Sequence, residues 1–416
     1  MADVRPLRGV RFDPQLTGPV GPLIAPPYDV TSEHADGAEF SVRKIESVDL
    51  GGHGDDHELA AERYLAWLQR GALRRDNESM VYVHRHQFSH KGVMTLRTGL
   101  FARVRLTDWA ERIVLPHERT TPGPRSERLD RLRAVHANLS PLYFLYSDPE
   151  KQIADMIADH AGNGQSFDDH DQMGGTHALT PIADRKLHAR LSDAFAKRTL
   201  FVADGHHRYE AALSFRNECR NTNGYDPDAP CEFVLALLAA VEDPGVIVRP
   251  THRVLIGEPR VPPDTLLTLL QRWFDLRMTN LEVPMPDERF VSRIVLPGEL
   301  GVWDIHSKRG DPHHALLPRD RNDAWRSLGV AAVGSIAESL VGAGTETPYQ
   351  LLLPAIDALE AVDTVRNGRA QAAFLLPDPK LGELLNVAAE GDLLPAKSTW
   401  FEPKAPAGLV ISDLRT

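Results

Sequence analysis

The sequence is poor in cysteine, has no long apolar run and carries no cluster of basic residues. Only Cys219 and Cys231 occur among 416 residues, with no Cys-x-x-Cys pair, so neither thiol is expected to bind zinc. We expect both to be small core residues, with a disulfide between strands as the alternative. No stretch approaches about 18 consecutive apolar residues, and the first residues lack an apolar signal segment. The formal net charge is −11 and no Lys/Arg run is present, so nucleic acid is not an expected partner. These absences predict a cytoplasmic protein that does not span a membrane.

Several motifs that mark common enzyme classes are absent as well. There is no GxxxxGK[ST] and no GxGxxG after a strand, which excludes a P-loop enzyme and a dinucleotide-binding fold. GxSxG and HExxH are also missing, so the patterns of α/β-hydrolases and zinc proteases do not apply. Any chemistry must therefore come from other combinations of residues.

Length and patterning predict more than one domain. The chain of 416 residues is long enough for two or three domains, and its 42% hydrophobic and 25% charged residues are ordinary for a soluble globular protein. Apolar runs typical of buried strands, such as 232–241, alternate with helical patterns such as 185–197, which predicts a mixed α+β (α/β) fold. We place the boundary near residue 255, giving domains 1–255 and 256–416. The tail, 394–411, is predicted to return to the first domain and its site.

Two segments have less regular patterns. Residues 107–140 are charged and rich in Arg, without clean periodicity. Alternate residues from Thr95 to Arg103 are polar on one face, which predicts a half-exposed strand.

The most informative stretch lies at residues 200–216. An apolar run at 200–203 predicts a buried strand, Asp204 and Gly205 interrupt it, and a helical pattern follows from Arg208. A strand that enters a helix through a glycine turn leaves main-chain N–H groups at the positive end of the helix dipole, where anions bind. Three basic side chains follow the glycine: His206, His207 and Arg208. They could bind phosphate, while Asp204 could hold a metal or a hydroxyl proton. The alternative is a capped turn with a histidine pair on the surface.

Two further segments combine groups that suit phosphate chemistry. In Pro116-His117-Glu118, a carboxylate beside an imidazole could accept a proton from a substrate hydroxyl, whereas the alternative is a helix start. In Lys397-Ser398-Thr399, a positive charge and two hydroxyls suit a phosphate group, whereas the alternative is ordinary surface.

A rigid segment near the start could present polar groups to a pocket. Consecutive prolines at 26 and 27 fix the backbone, and Tyr28 and Asp29 follow them. The alternative is a stiff connector in which Asp29 caps the next element.

Taken together, these motifs resemble one family. They occur in chain order at 25–30, 116–120, 203–209, 249–254 and 395–401, followed by Pro403-Lys404 and 408–411. This is the pattern of the domain-of-unknown-function 1015 (DUF1015) proteins, which are also about four hundred residues long. The resemblance covers nearly the whole chain.

The Asp204 turn also resembles the nucleotide-binding turn of the ParB/sulfiredoxin-like fold. That fold includes the free-serine kinase, an ADP-dependent enzyme that phosphorylates L-serine. The resemblance implies such a core in the N-terminal half, with an insertion at about 121–185, and an α/β region in the C-terminal half. Sulfiredoxin has a cysteine where this chain has His206, so thiol chemistry is not expected.

The resemblance implies a small-molecule kinase that uses Mg²⁺ and takes ATP or ADP as phosphoryl donor. Its acceptor would be an amino-acid hydroxyl, with that of free L-serine as the first candidate. Alternatives are a nucleotide-binding regulatory protein without turnover and a nucleotide hydrolase with the same pocket; homo-oligomer formation is left open.

Three groups of site residues follow from this interpretation. Candidate catalytic residues are Glu118 as the base, Asp204, which is also the metal ligand, and His207. Candidate nucleotide- and phosphate-binding residues are Gly205, His206, Arg208, His117, Lys397, Ser398 and Thr399. Candidate substrate-pocket residues are Tyr28, Asp29, Arg119, Thr120, His252 and Arg253.

Overall fold

A computed structural model of the chain divides into two compact units. It describes residues 1–27, 39–46, 55–120, 122–161, 167–171, 174–256, 261–286, 288–341 and 352–415. Unit 1 comprises Met1–Pro116, Thr120–Ile247 and Pro403–Thr416, and unit 2 comprises His117–Arg119 and Val248–Glu402. The C-terminal segment from Pro403 therefore belongs to the unit that begins the chain.

Strands and helices are interspersed along both units, so the protein has a mixed α+β fold, as the sequence predicts. The strands are β1 (Val4–Arg5), β2 (Val10–Phe12), β3 (Leu73–Arg75), β4 (Val81–His90), β5 (Val93–Arg105), β6 (Val114–Leu115), β7 (Ala137–Asn138), β8 (Leu142–Tyr146), β9 (Phe167–His170), β10 (Thr176–Ile182), β11 (Leu200–Asp204), β12 (Phe233–Ala240), β13 (Ile247–Pro250), β14 (His252–Leu255), β15 (Phe274–Thr279), β16 (Phe290–Val295), β17 (Val302–Ser307), β18 (Leu352–Ala355), β19 (Ala372–Leu375), β20 (Thr399–Glu402) and β21 (Ser412–Asp413). The α-helices are α1 (Pro14–Thr17), α2 (Arg43–Glu46), α3 (Asp55–Arg70), α4 (Pro122–Val135), α5 (Gln152–Ala161), α6 (Arg185–Ala196), α7 (His206–Asn223), α8 (Pro263–Trp273), α9 (Asp323–Arg326), α10 (Gly329–Val341), α11 (Ala358–Arg366) and α12 (Leu381–Ala389).

Unit 1 is built on a mixed nine-stranded sheet. The strand order is β6-β11-β8-β12-β5-β4-β10-β9, with β1 paired to β5. The β6–β11 and β8–β12 pairs are parallel and the other pairs are antiparallel. β8 is buried throughout and β12 almost so, which explains their continuous apolar sequences. β11 lies between β6 and β8, so the turn that follows Asp204 leaves an interior strand.

Helices α5, α6 and α7 contribute apolar residues to the core on one face of this sheet. On α6, Leu187, Leu191 and Phe195 recur at helical spacing and are buried in the main core of the unit. Full burial of one such side chain stabilises the fold by about 1.5–3 kcal/mol. On α7, Tyr209 is buried, and its hydroxyl donates to the Thr107 carbonyl at 2.8 Å. This contact anchors the first turn of α7, the helix that begins at the candidate site.

Unit 2 contains a six-stranded sheet in the order β15-β17-β16-β19-β14-β18. Every pair in it is antiparallel, so this C-terminal region is α+β in the strict sense. Neighbouring residues of β16 point to opposite faces: Ile294 packs in the cluster that includes α8 and α10, and Val295 in the cluster that includes α11. Helices therefore cover both faces of the sheet. A separate two-stranded sheet pairs β13 with β20.

Two general expectations can be compared with the described residues. None of the described helices combines the length and apolar character needed to cross a membrane. Cys219 and Cys231 are free thiols in the structure, with no disulfide between them, and both are half-buried, so the prediction that they are core residues is wrong.

Candidate functional site

The Asp204 turn has the predicted strand–turn–helix form. β11 ends at Asp204, Gly205 is the N-cap, and α7 begins at His206, two residues earlier than the sequence pattern indicated. Gly205 has φ 102°, and a Cβ at this position would lie 2.5 Å from Cδ2 of Leu142. Only glycine accepts both the left-handed backbone and the close approach. His206 and His207 form the first turn of α7 and are half-buried.

A substitution pair tests this requirement. Gly205→Ala is expected to lower the free energy of unfolding by about 1–3 kcal/mol more than Gly224→Ala does. Gly224, which ends α7, has φ 79° but no atom within 4 Å of a built Cβ, so its substitution reports backbone strain alone. Urea unfolding of both variants measures the difference; equal losses would mean that Leu142 moves aside at no cost.

Asp204 forms a compact ion-pair cluster with Lys404 and Arg208. Its Oδ1 lies 2.8 Å from Lys404 Nζ and its Oδ2 lies 2.7 Å from Arg208 Nη2. Side-chain exposure is 26% for Asp204, 14% for Lys404 and 11% for Arg208. Burial alone would raise the pKa of Asp204, but the charges of Lys404 and Arg208 outweigh it and place this pKa well below its ordinary value. Two cations are thus held at the N-terminus of α7 by one carboxylate.

This set of partners does not fit the predicted Mg²⁺ site. Each carboxylate oxygen of Asp204 already accepts a hydrogen bond from a positively charged group, and those groups occupy the space beside the atoms that a metal would use. Mg²⁺ demands near-ideal octahedral oxygen coordination. We therefore assign no metal to Asp204.

The ion pairs predict a pH dependence of stability. Because the pKa of Asp204 is lowered on folding from 3.8, the folded state favours its ionised form. The stabilisation is present above pH 3.8 and is lost as pH falls through the lower pKa of the folded protein. Asp204→Asn should therefore be less stable than wild type near neutral pH, with the difference shrinking below about pH 3. Urea unfolding of wild type and Asp204→Asn, near neutral pH and below about pH 3, measures this difference in stability. A difference that is the same at both pH values would mean that the charge of Asp204 does not contribute to stability.

Lys404 and Arg97 are site residues that the sequence interpretation missed. Arg97, on β5, is fully buried and lies 5.1 Å from the centre of the Tyr143 ring. It donates to the carbonyls of Pro403 and Lys404, which fixes the chain where Lys404 reaches Asp204. The only sequence signal for Lys404 was its place in the C-terminal Pro403-Lys404 motif.

Glu118, in unit 2, lies in a ring of hydrogen-bond donors from the Lys397-Ser398-Thr399 segment. Its Oε1 accepts from the Ser398 N–H at 3.1 Å, the Thr399 N–H at 2.8 Å and the Thr399 hydroxyl at 2.5 Å. Its Oε2 accepts from the Lys397 N–H at 3.0 Å. Lys397 has φ 58°, and this left-handed residue helps successive N–H groups converge on one anion. The segment predicted to hold a phosphate thus holds the Glu118 carboxylate.

His117 extends the hydrogen bonds around Glu118. Its Nε2 lies 2.8 Å from Thr399 Oγ1, and its ring packs edge-on against Phe401. Since the Thr399 hydroxyl donates to Glu118, its oxygen accepts from His117, which assigns the imidazole proton to Nε2. The arrangement is a directed chain from His117 through Thr399 to Glu118.

Two of the predicted substrate-pocket residues, Arg119 and Arg253, line one cavity in unit 2. The cavity has a volume of about 160 Å³ and is also lined by Arg321 and Trp325. Arg321 is paired with Asp392 at 2.6 Å. Three guanidinium groups around a small cavity favour an anionic occupant.

The other predicted pocket residues have different surroundings. Thr120 belongs to unit 1 and donates to Glu210 at 2.9 Å. His252 is buried, its Nδ1 accepts from the Leu376 N–H, and burial lowers its pKa to about 4. Tyr28 and Asp29 lie outside the described residues.

Most of the predicted catalytic and nucleotide-binding residues therefore lie in two clusters, the first of which also contains Lys404. The Asp204 cluster (Asp204, Gly205, Arg208 and Lys404) belongs to unit 1, and the Glu118 cluster (His117, Glu118, Lys397, Ser398 and Thr399) belongs to unit 2. The Asp204 cluster has the cations and helix N–H groups that a small anionic ligand needs, whereas in the Glu118 cluster the main-chain N–H donors bind Glu118 itself.

Comparisons with known proteins identify the family of the chain. No curated protein matches its sequence. Free serine kinase in complex with AMP is a similar solved structure, with 11% identity, 72% of this chain and 86% of that chain covered, and a TM-score of 0.36. A conserved hypothetical protein from Pyrococcus furiosus has 10% identity, coverage of 74% and 93%, and a TM-score of 0.35. SbnI from Staphylococcus aureus, with a C-terminal truncation, has 13% identity, coverage of 73% and 82%, and a TM-score of 0.34. A family model matches residues 4–331, and the chain belongs to that family, described as protein of unknown function (DUF1015).

Proposed function

We propose that the protein is a small-molecule kinase that transfers a phosphoryl group from ATP or ADP to the hydroxyl of an amino acid, with free L-serine as the first acceptor to test. The observation that carries this proposal is the Asp204 cluster at the start of α7. Phosphoryl transfer depends mainly on positioning and on neutralising charge, and the cluster supplies groups for both.

The Asp204 cluster would bind the phosphate chain of the nucleotide. α7 is 18 residues long, and its first N–H groups have no intrahelical acceptor, so its N-terminus attracts anions. Asp204 holds Arg208 and Lys404 in fixed positions. A phosphate chain carries more negative charge than one carboxylate, so it would compete for both cations. His206 and His207 would add donors from the first turn of the helix.

Glu118 would act as the base toward the acceptor. Three main-chain N–H groups and the Thr399 hydroxyl fix its carboxylate, and a fixed orientation is what a general base needs. In the proposed reaction the acceptor oxygen attacks the terminal phosphorus, the bond from phosphorus to the leaving nucleotide oxygen breaks, and the hydroxyl proton passes to Glu118. The cavity beside Arg119 and Arg253 would receive the carboxylate of the amino acid.

A second candidate is a nucleotide-binding regulatory protein without turnover. The observation that favours it is the number of donors already bound to Glu118, since a carboxylate used in this way can be a purely structural cap. In that case only the Asp204 cluster would have a ligand.

One experiment separates these functions. The full-length protein is incubated with ATP or ADP labelled in the terminal phosphate, Mg²⁺ and a mixture of amino acids, and the products are separated. Labelled phosphoserine, or another labelled phosphoamino acid, supports the kinase. Labelled free phosphate without an acceptor indicates a hydrolase, and binding of nucleotide without product indicates the regulatory protein. Arg208→Ala, assayed in parallel, should lose whichever of these signals the wild type gives.

A further inference from the structure

A second group of polar side chains converges in unit 1, apart from both clusters described above. His86 lies on β4 and His177 on β10, and the two residues are direct partners in the antiparallel register. Direct partners present their side chains on the same face of a sheet. Asp171 lies in the turn between β9 and β10 and reaches the same point.

The distances between the three side chains suit a shared metal ion. Asp171 Oδ2 is 3.0 Å from His177 Nε2 and 3.7 Å from His86 Nε2, and the three ligand atoms all lie within 4.8 Å of one another. An ion about 2.1 Å from each ligand atom separates those atoms by about 3.0–3.4 Å. Small movements of the side chains would complete such a geometry.

His86 gives an independent indication that something binds here. Its side chain is only 5% exposed, yet within the described part of the chain neither of its ring nitrogens has a hydrogen-bond partner. Buried polar atoms without a partner are rare because they cost free energy. The ligand atoms also face Gly175, where a Cβ would lie 2.5 Å from His86 Nε2 and 3.1 Å from Asp171 Oδ2. Because Gly175 has no side chain, the space beside His86 Nε2 and Asp171 Oδ2 stays open.

The surroundings orient the ligand atoms. His84 Nε2 lies 2.9 Å from His177 Nδ1, which allows His177 to direct Nε2 toward Asp171. Asp171 is held by the Gly175 N–H, which donates to Oδ1 at 2.8 Å and leaves Oδ2 toward the histidines.

We propose that His86, Asp171 and His177 bind a divalent transition-metal ion of the Zn²⁺ class. Two imidazoles and one carboxylate are a ligand set for Zn²⁺, Co²⁺ or Fe²⁺, whereas Mg²⁺ and Ca²⁺ take all-oxygen sets. Three protein ligands leave at least one coordination position for water or a small ligand, as in catalytic zinc sites. The site does not depend on the proposed kinase activity.

Metal binding by the full-length protein tests the proposal. Equilibrium dialysis against Zn²⁺ should leave one ion per chain, and Zn²⁺ should raise the Tm. His177→Ala and Asp171→Asn should each weaken binding by about 100-fold or more and abolish the Tm shift. His90→Ala, which removes another histidine of β4, should bind as wild type does. Gly175→Ala should also lose binding, because its methyl group would lie 2.5 Å from His86 Nε2 and displace that ring, although all three ligand residues are retained.

Co²⁺ distinguishes this site from the cysteines. Substitution with Co²⁺ should give a visible spectrum without a thiolate charge-transfer band, and Cys219→Ser should not change it. A thiolate band that disappears in Cys219→Ser, or unchanged Zn²⁺ affinity in both His177→Ala and Asp171→Asn, would overturn the proposal. Should His177→Ala fail to fold by circular dichroism, Asp171→Asn and Gly175→Ala, both in the turn, decide the outcome.

Discussion

Replacing Glu118 with Gln should reduce phosphoryl transfer by about 100-fold or more while nucleotide affinity stays within about twofold. Transfer should slow because an amide cannot take the proton of the acceptor hydroxyl. Nucleotide affinity should stay because the nucleotide is assigned to the Asp204 cluster of unit 1. The same substitution should lower the free energy of unfolding by about 1–3 kcal/mol, because an amide NH₂ would face main-chain N–H donors that now meet a carboxylate oxygen. Transfer is therefore measured well below the Tm of the variant, with nucleotide affinity measured by calorimetry.

Glu402→Gln is the matched control for this experiment. Like Glu118, Glu402 is a glutamate of unit 2. It pairs with Arg249 and has no assigned role in transfer. It should retain wild-type turnover. If Glu118→Gln is destabilised but turns over at the wild-type rate, Glu118 is a structural cap and the base must be another group.

Removing either cation of the Asp204 cluster should weaken nucleotide binding by about 10- to 100-fold. A hydrogen bond to a charged group contributes about 1.5–3 kcal/mol, and about 1.4 kcal/mol is a factor of ten in affinity. Arg208→Ala and Lys404→Ala should therefore both raise the Kd for ATP or ADP, and the affinity of each variant should depend less on salt than that of wild type. Calorimetric titration at two salt concentrations measures both effects.

Arg190→Ala controls for a general change in charge. Arg190 is an exposed arginine on α6 in the same unit, so its loss changes the net charge equally without touching the cluster. Wild-type affinity in Arg208→Ala and Lys404→Ala would show that the nucleotide does not bind at the start of α7.

The parts of the fold predicted from sequence are those set by local pattern. The strand, glycine turn and helix at 200–216 follow from an apolar run, a residue that tolerates positive φ and helical spacing, and all three are present. The buried strand β12 follows from its continuous apolar sequence in the same way.

Patterns that depend on distant partners misled the sequence interpretation. The alternation around Arg97 predicts a half-exposed strand, yet Arg97 is fully buried because the C-terminal segment supplies carbonyls for its guanidinium. Residues 107–140 lack clean periodicity, yet α4 forms there, with ion pairs such as Glu127–Arg131 in place of a clear apolar stripe. No local pattern could show that Lys397-Ser398-Thr399 binds a carboxylate of the chain itself.

The return of residues 403–416 to unit 1 has a consequence for biosynthesis. β21 pairs with β7, Ile411 exchanges main-chain hydrogen bonds with Val10, and Asp413 lies 2.6 Å from Arg75. These contacts can form only after the ribosome has translated all of unit 2. Unit 1 therefore begins to emerge first but is completed last. Its partly assembled sheet persists in the nascent chain, where unpaired strand edges are exposed to aggregation and to chaperones.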